Sequence, residues 1–207
     1  MKKTELPEKE YNKLLDFVIT EIQSHGLKST TMDSLAAKLQ MSKRTLYEIF
    51  SNKNEMISVA LNKMHQRQVK IYQNIFSNSS NTMEALIKCL LANRDMMSNM
   101  SVDFFKDLKD FSDEMKESEE IGRRHFSVIV NILNKGAEEG FIRKDVNFIV
   151  SCRMLGIQME SLKRMEELFP PDITLLEVYD SISTAFLRSL STQKGLELMD
   201  RLLQENN

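Results

Sequence analysis

The residues best suited to chemistry cluster in one short segment, Ser42-Lys43-Arg44-Thr45-Leu46-Tyr47. Lys43 and Arg44 carry donors that match the O6 and N7 edge of guanine. Thr45 suits a phosphate oxygen or a thymine methyl. Ser42 stands where a helix N-cap is needed, and so does Thr31 upstream, whose hydroxyl or neighbouring N–H groups could also meet a phosphate. Plainer roles fit the same residues. Thr31 and Ser42 serve equally well as caps alone, Tyr47 as a packed ring with an exposed hydroxyl, and Lys28 and Lys38 as solvated lysines.

Other chemistries find little support. The three histidines (His25, His65, His125) are widely spaced, and no HExxH, GxSxG or phosphate-cradling glycine loop occurs. Glu119-Glu120 and Glu138-Glu139 read as solvated helix faces. Cys89 and Cys152 form no CxxC pair and no disulfide framework, so a reduced cytoplasm is expected. The expectation is a protein that is not an enzyme, with no cofactor and no metal. Net charge is −2, yet residues 28–53 hold five basic and two acidic side chains while 54–207 hold 19 and 23. The basic excess is local.

The elements that must position this segment read as helices. Six glycines and three prolines in 207 residues fall far below the usual ~12%, and sheets need turns that consume both. At roughly 150 residues per domain the length suits one large domain or two small ones. Tyr11, Leu14, Leu15, Val18, Ile19 and Ile22 recur at helical spacing over 7–24, with Gly26 as a C-terminal cap. Two short helices follow. Thr31 caps the first, with Met32, Leu35, Ala36 and Leu39 inward; Ser42 caps the second, 43–50, with Leu46, Ile49 and Phe50 inward. Two short helices joined by a tight connection and preceded by a longer one make a helix-turn-helix pattern. In that geometry the second helix enters the major groove, where Lys43, Arg44, Thr45 and Tyr47 can face DNA. A fourth helix opens at Asn52, with Glu55 at the capping-box position, and runs to about 76. The polar run 77–81 marks the main break. Further helices are predicted over 82–99, 102–111, 113–139, 145–169 (stopped by Pro170-Pro171), 174–190 (Thr174 and Glu177 forming a capping box) and from 193 on. No convincing strand is found. Nor is there an ~18-residue apolar run for a membrane span, and Glu5, Glu8 and Glu10 interrupt the place of a signal peptide.

Thr30-Thr31-Met32-Asp33-Ser34-Leu35-Ala36-Ala37-Lys38-Leu39 and Met41-Ser42-Lys43-Arg44-Thr45-Leu46-Tyr47-Glu48-Ile49-Phe50-Ser51-Asn52-Lys53 resemble the DNA-binding domain of the TetR/AcrR family of transcriptional regulators. The strong resemblance covers about 50 N-terminal residues. The remainder is similar only in helical layout and in the segment 140–145. Gln40 departs from the pattern, standing in the turn where the family commonly has glycine.

The resemblance implies an all-α protein: a three-helix helix-turn-helix domain over 1–53, and a helical ligand-binding and dimerisation domain over 54–207, with the helix 53–76 shared. It implies that Tyr47 and Lys53 contact phosphates. It implies a homodimer through helices near 145–169 and 174–190. Stripes for pairing are available: Val146, Ile149, Val150, Met154 and Ile157 on one, Leu175, Val178, Tyr179, Ile182 and Phe186 on the other. Gly156, Ser181, Ser183 and Ala185 would permit close approach. It implies release of double-stranded DNA by a small ligand. Met83, Met97, Phe104, Phe105 and Phe126 offer apolar lining for an apolar or aromatic ligand, with Arg94 and His125 as polar contacts. The expected function is a cytoplasmic regulator, a repressor on a near-palindromic operator. The alternative is a helix-turn-helix adaptor that binds only protein.

Overall fold

The computed structural model describes residues 6–114 and 118–205, with backbone alone at 110, 112–114 and 118–126. Every regular element among them is helical; the nearest approach to a strand is an isolated antiparallel bridge between Ile142 and Ser191. The backbone separates into two units, residues 1–71 with 99–108, and 72–98 with 109–207.

The first unit begins with α1 (Glu8–His25), which starts after Pro7 and ends at Gly26, whose φ is 82°. Leu14, Leu15, Val18, Ile19 and Ile22 form its buried stripe. α2 (Met32–Lys38) buries Met32, Leu35 and Ala36; α3 (Lys43–Ile49) buries Leu46 and Ile49. The long α4 (Lys53–Ser77) adds Met56, Ile57 and Ala60. Period-3.6 apolar spacing in all four helices therefore converges on one core. The unit boundary falls inside α4, at 71/72, because only its first half carries fully buried residues.

The unit also recruits a segment remote in sequence. Residues 99–108 include the start of α6 (Val102–Glu114). The Ser101 N–H donates to the Gln23 carbonyl at 2.8 Å. The buried Asp107 carboxylate accepts from the Lys28 N–H at 2.7 Å. A Cβ at position 26 would lie 2.7 Å from Asp107 Oδ2, so this approach requires Gly26.

The second unit is built from α5 (Thr82–Met97), α7 (Ser118–Glu138), α8 (Phe148–Met159), α9 (Met165–Leu168), α10 (Leu175–Leu190) and α11 (Gln193–Glu205). Met83, Ile87, Leu90, Leu187 and Met199 form one buried cluster, and Leu133, Ala137, Ile142, Phe148, Cys152 and Leu190 another. Thr174 and Glu177 make the expected capping box. The helix expected to run unbroken over 145–169 does not. α8 starts later, where Asn147 accepts from the Val150 N–H, and Glu160–Arg164 wind as a 3₁₀ turn before α9. The tighter winding brings residues three apart into line, which suits the buried pair Leu162 and Met165 and the ion pair Lys163–Glu160. No helix among the described residues is long and apolar enough to cross a membrane.

Candidate nucleic-acid interface

α2 and α3 pack against each other through a turn at 39–42. Gln40 holds it with φ 54°, the left-handed conformation for which glycine is the usual choice. The Met41 N–H donates back to the Ala36 carbonyl at 2.9 Å, closing the turn. Thr31 caps α2 by accepting from the Ser34 N–H at 3.1 Å, and Ser34 returns the bond, completing a capping box. Ser42 caps α3 by accepting from the Thr45 N–H at 3.0 Å, with the two hydroxyls 2.8 Å apart. Both residues are thus caps, and both remain exposed.

With Leu46 fully buried and Ile49 and Phe50 beside it in the core, the opposite side of α3 is fixed outward. Lys43 and Arg44 stand exposed there, and Tyr47 is 50% exposed. Thr45 is half-buried. Neither basic side chain lacks a counter-charge. Lys43 Nζ meets Asp33 Oδ2 of α2 at 2.6 Å, and Arg44 Nε meets Glu48 Oε1 at 3.0 Å. Lys38 is paired with Glu21 at 2.5 Å. Lys53, at the start of α4, turns its ammonium to the Lys28 carbonyl at 2.8 Å. Burial pulls its pKa below the usual lysine value, and nearby Asp107 opposes that shift.

The seven residues expected to meet DNA therefore all lie in the first unit, at the N-caps of α2 and α3, on α3 itself and at the start of α4. Sequence reasoning missed their carboxylate partners. Arg44 and Glu48 stand at i, i+4 and could have been found by spacing. The Asp33–Lys43 pair needed the tertiary turn.

The residues expected to hold a ligand are divided between the two units. Met83 and Met97 are buried in the second unit, and Arg94 there is ion-paired with Asp180 at 2.8 Å. Phe104 and Phe105 belong to the first unit, in an edge-on contact with centroids 5.4 Å apart. His125 and Phe126 are described by their backbone alone, on α7. A polar group sits inside the second unit, with Tyr72 and Asn93, which the sequence did not single out, beside Tyr179 and Ser183. Tyr72 donates to Asn93 at 2.5 Å, Tyr179 donates to the Leu90 carbonyl at 3.3 Å, and Ser183 Oγ is buried without a hydrogen-bond partner.

The surface of α8 is also unusual. Ile149, Val150, Met154 and Ile157 are all more than half exposed, and nothing lies within 4 Å of a Cβ built on Gly156. On the neighbouring α10 the expected pairing stripe faces inward instead. Leu175, Val178 and Tyr179 are buried, and Ile182 and Phe186 half-buried, because they close the core against α5 and α8. α10 exposes the small residues Ser181 and Ala185, along with Glu177, Arg188 and Ser189. Ser183 is buried.

Residues 15–60 match the family described as bacterial regulatory proteins, tetR family. A relative in Bacillus subtilis, an uncharacterized HTH-type transcriptional regulator called YvaF, is 26% identical over 117 residues, 56% of this chain; the match spans 62% of that relative's length, less than two thirds. A TetR-family transcriptional regulator from Agrobacterium tumefaciens has a similar structure, with a TM-score of 0.71 at 11% identity, covering 90% of this chain and all of that one. FadR of Bacillus subtilis, solved in complex with stearoyl-CoA, is similar with a TM-score of 0.62 at 15% identity, covering 87% of this chain and 99% of that one. The helix-turn-helix segment thus matches the tetR family's model, the all-α fold is similar to that of solved regulators, and these relatives are named as transcriptional regulators.

Proposed function

We propose that this chain is a transcriptional regulator that binds a near-palindromic DNA operator as a homodimer and represses from it. One observation carries the reading. The segment matched to a DNA-binding family buries Leu46 and Ile49 and, in doing so, holds Lys43, Arg44 and Tyr47 outward on one helix. Lys43 and Arg44 read base edges; Thr31, Ser42, Thr45, Tyr47 and Lys53 fix the register on phosphates. Lys53 must leave the Lys28 carbonyl to do so.

A palindrome is read by two copies related by a two-fold axis, which needs a self-complementary patch. The exposed aliphatic row of α8, beside the small residues Ser181 and Ala185 of α10, supplies one. Contiguous apolar surface of this kind marks an interaction site. The second unit receives a small apolar or aromatic ligand, and a ligand that prefers the non-binding shape releases DNA by its differential affinity. Stearoyl-CoA, held by the similar FadR, makes long-chain acyl compounds the first class to screen.

The test is fluorescence anisotropy on duplexes tiled across the DNA beside the gene, at two salt concentrations. Tight, salt-dependent binding to one near-palindromic tile supports the reading. Each bidentate base contact is worth about 1–3 kcal/mol, so Lys43→Ala with Arg44→Ala is expected to weaken that tile about 100-fold or more. Weak, equal binding to every tile by wild type and variant alike favours the protein-binding adaptor instead.

A further inference from the structure

The pair formed by Arg44 and Glu48 is badly placed for helix stability. Arg44 sits in the first turn of the seven-residue α3 and Glu48 in its last. Helix ends favour the opposite arrangement, with anions first and cations last. A carboxylate four residues after its cation is also the weaker order for a helical ion pair. Exposed pairs contribute little in any case. A side-chain choice that opposes local stability is a sign of function.

The geometry of the pair says which function. The Arg44 side chain is 85% exposed, whereas that of Glu48 is 22% exposed. The carboxylate is the enclosed member and the guanidinium the exposed one. Glu48 Oε1 takes the Nε–H of Arg44 at 3.0 Å. Both terminal nitrogens of the guanidinium remain available as a planar fork. That fork matches the O6 and N7 acceptors of guanine end-on. Lys43 has no such support, since its partner Asp33 is as exposed as Lys43 itself, at 61% and 63%.

We propose that Glu48 is a positioning residue that holds the Arg44 guanidinium end-on to a guanine, making Arg44 the principal base reader of α3. The proposal rests on the reading that α3 enters the major groove. The carboxylate stays bonded to Nε in the complex, so its role is orientation and not release. Its charge also faces the DNA. Removing it therefore has opposite consequences for the two kinds of binding. Specific binding loses a pre-oriented contact, while sequence-independent binding loses a repulsion.

The experiment compares wild type, Glu48→Ala, Glu48→Gln, Arg44→Ala and the double Arg44→Ala, Glu48→Ala variant. Each is titrated on the best tile, on that tile with every G·C pair replaced in turn, and on a scrambled duplex. Glu48→Ala is expected to weaken the best tile about tenfold, a loss within the range of one base contact. It should leave scrambled-duplex affinity unchanged or raised. The preference for guanine should flatten at the same position that Arg44→Ala flattens, and Glu48→Ala should add nothing on top of Arg44→Ala. Glu48→Gln keeps the side-chain shape and an acceptor oxygen, so an intermediate loss is expected from a variant that folds. Strengthening of both duplexes alike would show simple repulsion and overturn the proposal. So would weakening of both alike by Glu48→Gln, or flattening at a different position. A wild type with no preference for any tile would remove the DNA-reading function itself, whereas a preference untouched by Glu48 substitution would remove only this inference.

Discussion

At Gln40 the backbone adopts φ 54°, and an L-residue there sacrifices roughly 1 kcal/mol that glycine would not. Gln40→Gly is expected to stabilise the protein by about 1 kcal/mol or slightly less, since glycine also loosens the unfolded chain. At about 2–4 °C per kcal/mol for a chain of this size, the shift is measurable by thermal melting; an unchanged or lowered midpoint would show that the turn is unstrained. Gly195 presents the reverse case. It lies buried beside the segment 140–143, where a Cβ would overlap the Phe141 carbonyl oxygen. Backbone cannot step aside as a flexible side chain can. Gly195→Ala should cost about 1–3 kcal/mol, read as a lower denaturant midpoint. The cysteines are quiet at this scale. Burial pushes the Cys89 thiol up to about 11 and raises that of Cys152 as well, so little thiolate exists at neutral pH to react with oxidants.

Among the elements, α8 and α10 divide labour in a way that their spacing alone does not reveal. Both carry apolar residues at helical intervals. Those of α10 are consumed by the core, and those of α8 at 149, 150, 154 and 157 stay at the surface. If α8 is the seam between two copies, a charge at its most exposed apolar position, Ile157 at 66%, must be desolvated on pairing. Ile157→Asp is expected to yield a monomer by sedimentation with a thermal midpoint close to wild type. It should weaken the palindromic tile far more than a single half-site. A variant that remains dimeric would place the seam elsewhere. The broken segment after α8 belongs to the same scale. Its 3₁₀ turn buries Leu162 and leads into α9, whose first residue Met165 is buried three positions on, a spacing that a regular helix with residues 100° apart would align less well.

For the whole molecule, stability against pH follows from groups that are protonated in the core. Tyr179 is pushed up to about 12 from 10.0 by burial, with the neighbouring polar side chains of Ser183 and Asn93 partly opposing, and Cys89 to about 11 from 9.0. The unfolded chain loses these protons first. Each contribution is therefore complete below the unfolded value and is lost as pH rises through the folded one. Stability should fall from about pH 9 upward, with Tyr179 adding on the order of 2 kcal/mol of loss between about pH 10 and about pH 12. Guanidinium unfolding on either side of that window measures it. Tyr179→Phe, which cannot ionise, should flatten the upper part of the curve, and a slope equal to wild type would assign the loss to other groups.

Much of this molecule was legible in its sequence because the signals are local. Helix positions, the caps Thr31, Ser42 and Thr174 and the outward side of α3 follow from spacing, short-range hydrogen bonding and the burial of Leu46, and the left-handed turn at Gln40 from the resemblance that has glycine there. These are decided within a few residues, where propensity and periodicity act. Tertiary structure decided whatever depends on who lies opposite. It placed Asp107 of α6 against the loop after α1 and assigned Phe104 and Phe105 to the first unit and Met83 and Met97 to the second. It turned the apolar stripe of α10 inward and left that of α8 outside. It set Asp33 against Lys43. An apolar stripe records that a face must be covered, and a charge that it must be solvated or paired. Neither records by what, because the partner is supplied by chain that is distant in sequence and close only once the core has formed.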